Sequence, residues 1–582
     1  MQHRTSLTYE HIDGIKLPPL VQIPDTRDLG SFEFCDVFSQ SKLTRAIVRM
    51  GLAGSGLHRF AQDVGPELEG LLRHHNLRVQ MLTAPLLSGT VALKDDPLVR
   101  CPFRRAAAFL LAARELQSEV MSGDFPIDTD HGEPLEMGQY PNLFGTTVAV
   151  DEAGPRIAKS HERDAVAVLC RGQCYRLCIG KAGLSELAAT LEEIARLSST
   201  ASTVSPAIAT CGSTFDQISF FKEVRRDPGN TAALRKLEQS MLTVCLDVEL
   251  APDDDATAAS VAHSGNLHNR WYHASLQIVV FGNAKVCTVC NFAAYLDGNV
   301  VTRASADLSR RAARLATSDL ERSERPSFEP LIWHFDDGAL DRIRDSTAEW
   351  KNEEQSTFAL AGYGAEFFRR LAVPSIPAFV VALQLAAADV TGANPRIHQF
   401  VSQSGFRCMG LRTANVTTPE VQDLAEWLSG NSRSVAETRR MVDEAVLSQR
   451  RACEAVRPYL RAEDLLFLLL TDRRGLASWR ARIAIGASLL ALRVSGRADL
   501  RHDIMISHPR FYPETPLIGR PGVRLPYVKY FGLHYQIHPD RTVVTITPST
   551  DRRVSSSELV AELETSLSRL REALTNHPIG RA

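Results

Sequence analysis

Asn269–Gly298 reads NRWYHASLQIVVFGNAKVCTVCNFAAYLDG, and the interpretation of the chain turns on it. Ser275–Phe281 and Lys285–Phe292 are two runs rich in β-branched residues, with a hairpin-type turn at Gly282-Asn283 between them. Alternation along the second run puts Cys290 and Phe292 on one face and sets Cys287 and Cys290 on opposite faces. Cys287-x-x-Cys290 has no second cysteine pair to complete a tetrahedral set, so no metal is expected there. Asp297-Gly298 closes the stretch and, on its residues alone, is a turn.

Working outward, Ala165–Cys170 and Gln173–Ile179 carry further strand signals. Residues 103–122 set Ala107, Leu110, Leu111 and Leu116 at helical spacing before a stop at Gly123. Residues 185–197 form a second amphipathic helix, opened by Ser185 with Glu186 in its first turn. From Leu424 to about Leu492 the pattern is almost wholly helical. Tyr530–His538 and Arg541–Pro548 are two closing strands around Pro539-Asp540. The last helix, Ser555 to about Thr575, has Leu559, Leu563, Leu567 and Leu570 on one face. Strands mixed with helices and hairpins place the chain in the α/β or α+β class.

At 582 residues and 44% hydrophobic, the chain is long enough for two or more cores. A net charge of -2 gives no electrostatic reason to expect nucleic acid or an anionic membrane as a partner. The longest apolar runs, Leu465–Leu470 and Ile483–Leu492, fall short of the roughly 20 residues a bilayer span needs. The 11 cysteines form no even framework. The opening MQHRTSLTYEHIDG has Glu10 and Asp13 and no apolar core, so it resembles no secretory or mitochondrial leader. A cytoplasmic chain with reduced thiols is the expectation.

Six segments in order resemble the choline/carnitine O-acyltransferase family. They are LPPL (Leu17–Leu20), EPLEMGQYPNLFGTT (Glu133–Thr147), SMLTVCLDVELAPDD (Ser240–Asp254), NRWYHASLQIVVFGNAKV (Asn269–Val286), YGAEFFRRLAVPSIPAFVVALQLA (Tyr363–Ala386) and SGFRCMGLRT (Ser404–Thr413). The resemblance implies two domains of the chloramphenicol-acetyltransferase type, each a mixed sheet flanked by helices. One is expected from 1–70 plus 335–582 and the other from 71–334. It further implies a tunnel at their interface, entered by coenzyme A from one side and by the acceptor from the other, in a protein that, like many relatives, is a monomer.

The family keeps its general-base histidine in a segment like (V/Y)-x-E-H-(S/A)-x-x-(D/E)-G, and here Asn291 and Phe292 stand at the Glu and His positions. A phenyl ring accepts no proton, so the imidazole that suits this chemistry is missing at Phe292. Asp297 matches the acidic position of that segment. Cys290 is a candidate nucleophile, against the simpler reading of a small buried apolar side chain. His273 and His268 flank the NRW segment, where surface or satisfied core histidines are the commoner reading. His398 and His508 are expected to line the tunnel.

Met505-Ile506-Ser507 resembles the family's S-T-S motif and leaves one hydroxyl, Ser507, to stabilise an oxyanion. In the YGKxxxKK pattern the phosphate-binding lysines correspond to Ala365, Arg369 and Arg370. The two arginines are expected to hold phosphates, and a solvated helix face is the competing reading. The carnitine-carboxylate positions correspond to Phe400, Thr413 and Glu463. Losing a tyrosine hydroxyl and inverting a charge argues against carnitine and for an uncharged or cationic acceptor.

The expected function is acyl transfer from a coenzyme A or phosphopantetheine carrier-protein thioester to an amine or hydroxyl acceptor. The thioester is a cosubstrate, and no tightly bound cofactor is expected. A catalytically silent thioester- or protein-binding relative, and a condensation or cyclisation on the same scaffold, are the alternatives.

Overall fold

Along Ala165–Cys170, Val166, Val168 and Cys170 point into one apolar core while Ala167 and Leu169 point into another. A strand that is apolar on both faces must be covered on both sides. In the computed structural model this strand lies third in an eight-stranded sheet. The structure describes residues 88–130, 132–152, 154–199, 206–317, 324–334, 338, 356–402, 404–405, 412–430, 434–456, 486, 502–521, 525, 528–550 and 554–575. LPPL, Glu463, Leu465–Leu470 and, apart from Gly486, Ile483–Leu492 lie outside these residues, as does most of the helical tract beyond Ala455.

The eight-stranded sheet runs Ser327–Pro330, Gln173–Cys178, Ala165–Cys170, Thr243–Asp247, Leu276–Phe281, Val286–Asn291, Ser88–Ala92, Leu517–Gly519. Its third to fifth strands are mutually parallel, and every other pair is antiparallel. The six-stranded sheet runs Thr357–Ala361, Arg541–Pro548, Val528–Ile537, His502–Ser507, Ile397–Val401, Arg412–Asn415. It has the same plan, a parallel triple with antiparallel neighbours. The chain is therefore mixed α/β, with two sheets of similar pattern.

The helices Pro102–Ser122, Leu184–Ser198 and Gly298–Ala316 bury their apolar faces on one side of the first sheet. Ser375–Thr391, Pro419–Ser429, Val435–Ala455 and Ser556–Thr575 do the same on one side of the second. Leu559, Leu563, Leu567 and Leu570 are all buried in that core. Burying such a side chain completely stabilises by roughly 1.5–3 kcal/mol. The two sheets meet through Leu517–Gly519, a strand from the C-terminal part of the chain that pairs with Ser88–Ala92 at the edge of the first sheet.

The segment Asn269-Arg270-Trp271 is structural. Arg270 donates to Asp247 at 2.6 Å with both side chains wholly buried, and to the carbonyls of Ala262 and Asn269. Asn269 and Asn266 also donate to Asp247. Trp271 packs in the core while its backbone N–H donates to Gln277. A buried ion pair holds only when its remaining hydrogen-bonding capacity is met, and these donors meet it.

Candidate active site

Val286–Asn291 ends one residue short of Phe292, so the strand alternation stops there. Asn291 turns the chain: its side-chain oxygen accepts from the Ala293 N–H at 2.9 Å, and its amide donates to Tyr272 O at 2.7 Å. Phe292–Ala294 is a single 3-10 turn and Tyr295 is left-handed at φ 61°. Phe292 still lies on the face of Cys290, because its ring covers Gly89, the cross-strand partner of Cys290. Cys290 itself points into the core beneath the sheet, with its thiol pushed up to about 12 by burial. At neutral pH almost no thiolate exists there.

The Phe292 ring runs onto the backbone of Gly89 on the neighbouring Ser88–Ala92 strand. A Cβ at Gly89 would lie 2.5 Å from Phe292 Cζ, so this position admits no side chain while the ring is in place. The Arg520 guanidinium stands 5.1 Å from the centre of the same ring. Arg520 follows directly on Leu517–Gly519, the strand that joins the two sheets. A cation over a ring face is a favourable contact, worth about 2 kcal/mol when desolvated.

Asp297 caps the Gly298–Ala316 helix. Its Oδ1 accepts from Val300 N at 2.9 Å, and Gln139 reaches it from the other side, donating to Oδ2 and accepting from its backbone N–H. Burial raises its carboxyl above the usual range. Gly298 abuts Pro509 and Asn299 accepts from Arg510 N, so the turn after Phe292 touches the segment after Ser507.

Ser507 ends the strand His502–Ser507, where its cross-strand partner is His534. His508, the next residue, accepts at Nε2 from the Gln399 amide at 2.9 Å, and burial lowers its imidazole to about 4. His398 is buried, its ring 4.5 Å from that of His502. Phe400 and Thr413 face each other as cross-strand partners, and Phe400 packs on Met505, Leu525 and Val528. His273 is a satisfied core residue. Gln217 gives its amide N–H groups to Thr210 O and Gly212 O, so its oxygen faces His273 Nε2 at 2.8 Å.

A cavity of about 1070 Å³ opens between the sheets. Glu133 and Asn299 line it from one side, and Ala365, His508 and Gln536 from the other. Its cation is Arg510, already held by Asp128 at 2.8 Å and Asp130 at 3.4 Å. Arg369 and Arg370 do not line it. They are exposed at the end of the short Ala365–Arg370 helix, and Arg370 pairs with Glu366 at 3.5 Å.

Two histidines that motif reading passed over come within electrostatic reach of Arg520 through tertiary structure. His263 bonds Thr90 Oγ1 through Nδ1 at 2.7 Å, and its Nε2 is buried without a hydrogen-bond partner. His534 lies on Val528–Ile537 with a buried Nδ1, likewise without one. Burial, reinforced by the nearby charge of Arg520, lowers both to about 3. The sequence signal for His534 was its place in an alternating strand, where it shares a face with Gln536.

Comparison with known proteins follows the same lines. The family pattern of choline/carnitine O-acyltransferases matches residues 78–565. Choline O-acetyltransferase of Gallus gallus is 24% identical over 502 residues, 78% of this chain and 74% of that protein. Highly reducing polyketide synthase 17 of Metarhizium anisopliae is 26% identical over 356 residues, 56% of this chain and only 11% of the synthase. Among solved structures, a trichothecene 15-O-acetyltransferase from Fusarium sporotrichioides aligns with 10% identity and a TM-score of 0.39, covering 87% of this chain and 94% of that one. With the matched segment spanning both sheets, the chain belongs to the choline/carnitine O-acyltransferase family.

Proposed function

We propose that this chain transfers an acyl group from a pantetheine thioester to an amine or hydroxyl acceptor other than carnitine, in specialised metabolism. The observation that carries the reading is the cavity between the two sheets, which reaches His508 and Asn299, the neighbours of Ser507 and Asp297. A pantetheine arm laid in it directs its thioester toward Ser507. There a hydroxyl stabilises the oxyanion of the tetrahedral intermediate, a contribution of about 3 kcal/mol. Neutral amines attack thioesters without a strong base, so holding donor and acceptor together supplies much of the acceleration. Phe400, packed on Met505 rather than offering a hydroxyl, supports an acceptor without carnitine's carboxylate.

The donor end of the cavity carries Asp130 and Glu133, and neither Arg369 nor Arg370 reaches it. A pantetheine delivered by a carrier protein brings less phosphate charge to that mouth than free coenzyme A. The polyketide-synthase relative favours the same source. Stability shifts with coenzyme A, acetyl-coenzyme A and an acetylated carrier protein test the reading, together with thiol release in the presence of amines and alcohols. A raised Tm with one donor and thiol release above background are expected; neither occurring with any donor refutes transfer. The inactive alternative rests on Phe292, and binding without turnover is its signature.

A further inference from the structure

We infer that His534 takes over the work of the imidazole missing at Phe292, accepting the acceptor's proton from the facing sheet. The inference rests on the transferase reading above. Leu533 and Tyr535 point into the core under the second sheet, so His534 between them points the other way, toward the first sheet. Gln536, on the same face, lines the cavity. Ser507 is the residue opposite His534 on one neighbouring strand and Thr545 the residue opposite it on the other.

Gly519 fixes what lies over that face. A Cβ there would come within 2.6 Å of Thr545 Cβ, so the joining strand runs directly against the residue beside His534. The next residue, Arg520, sets its guanidinium over Phe292. Ser507 and His534 thus stand side by side on the sheet that the joining strand crosses, while Arg520, one residue beyond that strand, covers Phe292.

Gln399 takes His508 Nε2, Gln217 holds His273, and His263, with Nδ1 on Thr90, is wholly buried. His534 is partly exposed, and its Nδ1 has no hydrogen-bond partner. The titratable and charged groups around it are Arg520 on the joining strand and His263 on the turn before the NRW segment. Burial, and after it the charge of Arg520, keeps it neutral, the form that accepts a proton. An oxyanion forming beside Arg520 offsets the guanidinium charge, so the imidazole gains basicity as the reaction proceeds. In the step, the acceptor nitrogen or oxygen bonds to the thioester carbon and its proton passes to His534. The C–S bond then breaks, and the proton leaves on the departing thiol.

The test follows thiol release from acetyl-coenzyme A, with ethanolamine presenting both an amine and a hydroxyl. His534→Gln is expected to lower the rate by roughly 10²–10⁴-fold, with acetyl-coenzyme A affinity and melting temperature unchanged. The wild-type pH–rate profile shows an imidazole limb that the variant lacks. Phe292→His added to His534→Gln is expected to regain part of the rate. A His534→Gln protein at the wild-type rate and pH profile overturns the inference and leaves transfer standing. A wild type that binds acetyl-coenzyme A or an acetylated carrier protein yet releases no thiol from either overturns both, whereas failure to bind any donor refutes the transfer reading itself.

Discussion

Phe292 shows how much one residue rearranges. Its ring fills the space over Gly89 and takes Arg520 across its face, so three segments of the chain depend on an aromatic group there. Gly89→Ala should therefore destabilise the protein by about 1–3 kcal/mol, because the added methyl forces the ring aside. Phe292→Leu should recover part of that loss in the double variant. Denaturant midpoints of the two single variants and the double give the coupling, and additivity would show that the ring does not rest on Gly89.

Within elements, Asp297 has a role that its place in the family motif does not announce. Its oxygens are spent on the Val300 N–H and on Gln139, so it starts the Gly298–Ala316 helix and ties it to the Gln139 turn. Asp297→Ala should cost about 1 kcal/mol or more, read as a lower melting temperature, while Asp297→Asn keeps the cap and most of the stability. Thioester turnover in the Asn variant should stay within a few-fold of wild type, since no step requires that carboxylate's charge. The strands of this region were legible in sequence to within a residue or two, because Leu276–Phe281 and Val286–Asn291 are apolar runs broken by a turn. The turn at Asn291 was not, because it comes from a side-chain bond to Ala293 and alternation carries no trace of it.

For the whole molecule, burial of neutral histidines predicts acid lability. His263, His273 and His534 are held near 3 by burial, against an unfolded value of 6.5. Above 6.5 neither state binds these protons; between 6.5 and 3 only the unfolded chain does, so stability is lost as pH falls through that window. At pH 5 each contributes a loss of about 2 kcal/mol. Urea midpoints should fall between pH 7 and pH 5. His273→Gln, which removes one of the three, should flatten the slope. A midpoint independent of pH over that range would mean that these rings are not neutral in the folded state.

Composition, strand alternation and six ordered motifs determined the α/β class, the family and the bounds of the strongly periodic elements. Those depend on local periodicity and on residues that recur at fixed spacing along the chain. The absence of histidine at position 292 was equally plain. What surrounds that position was decided by tertiary structure alone: Leu517–Gly519 crosses to the first sheet and brings Arg520 to Phe292, while the ladder opposes His534 to Ser507. The reason is physical. The pairing of Leu517–Gly519 with Ser88–Ala92 and the contact of Arg520 with Phe292 join residues more than 200 positions apart, and no periodicity within either segment encodes them.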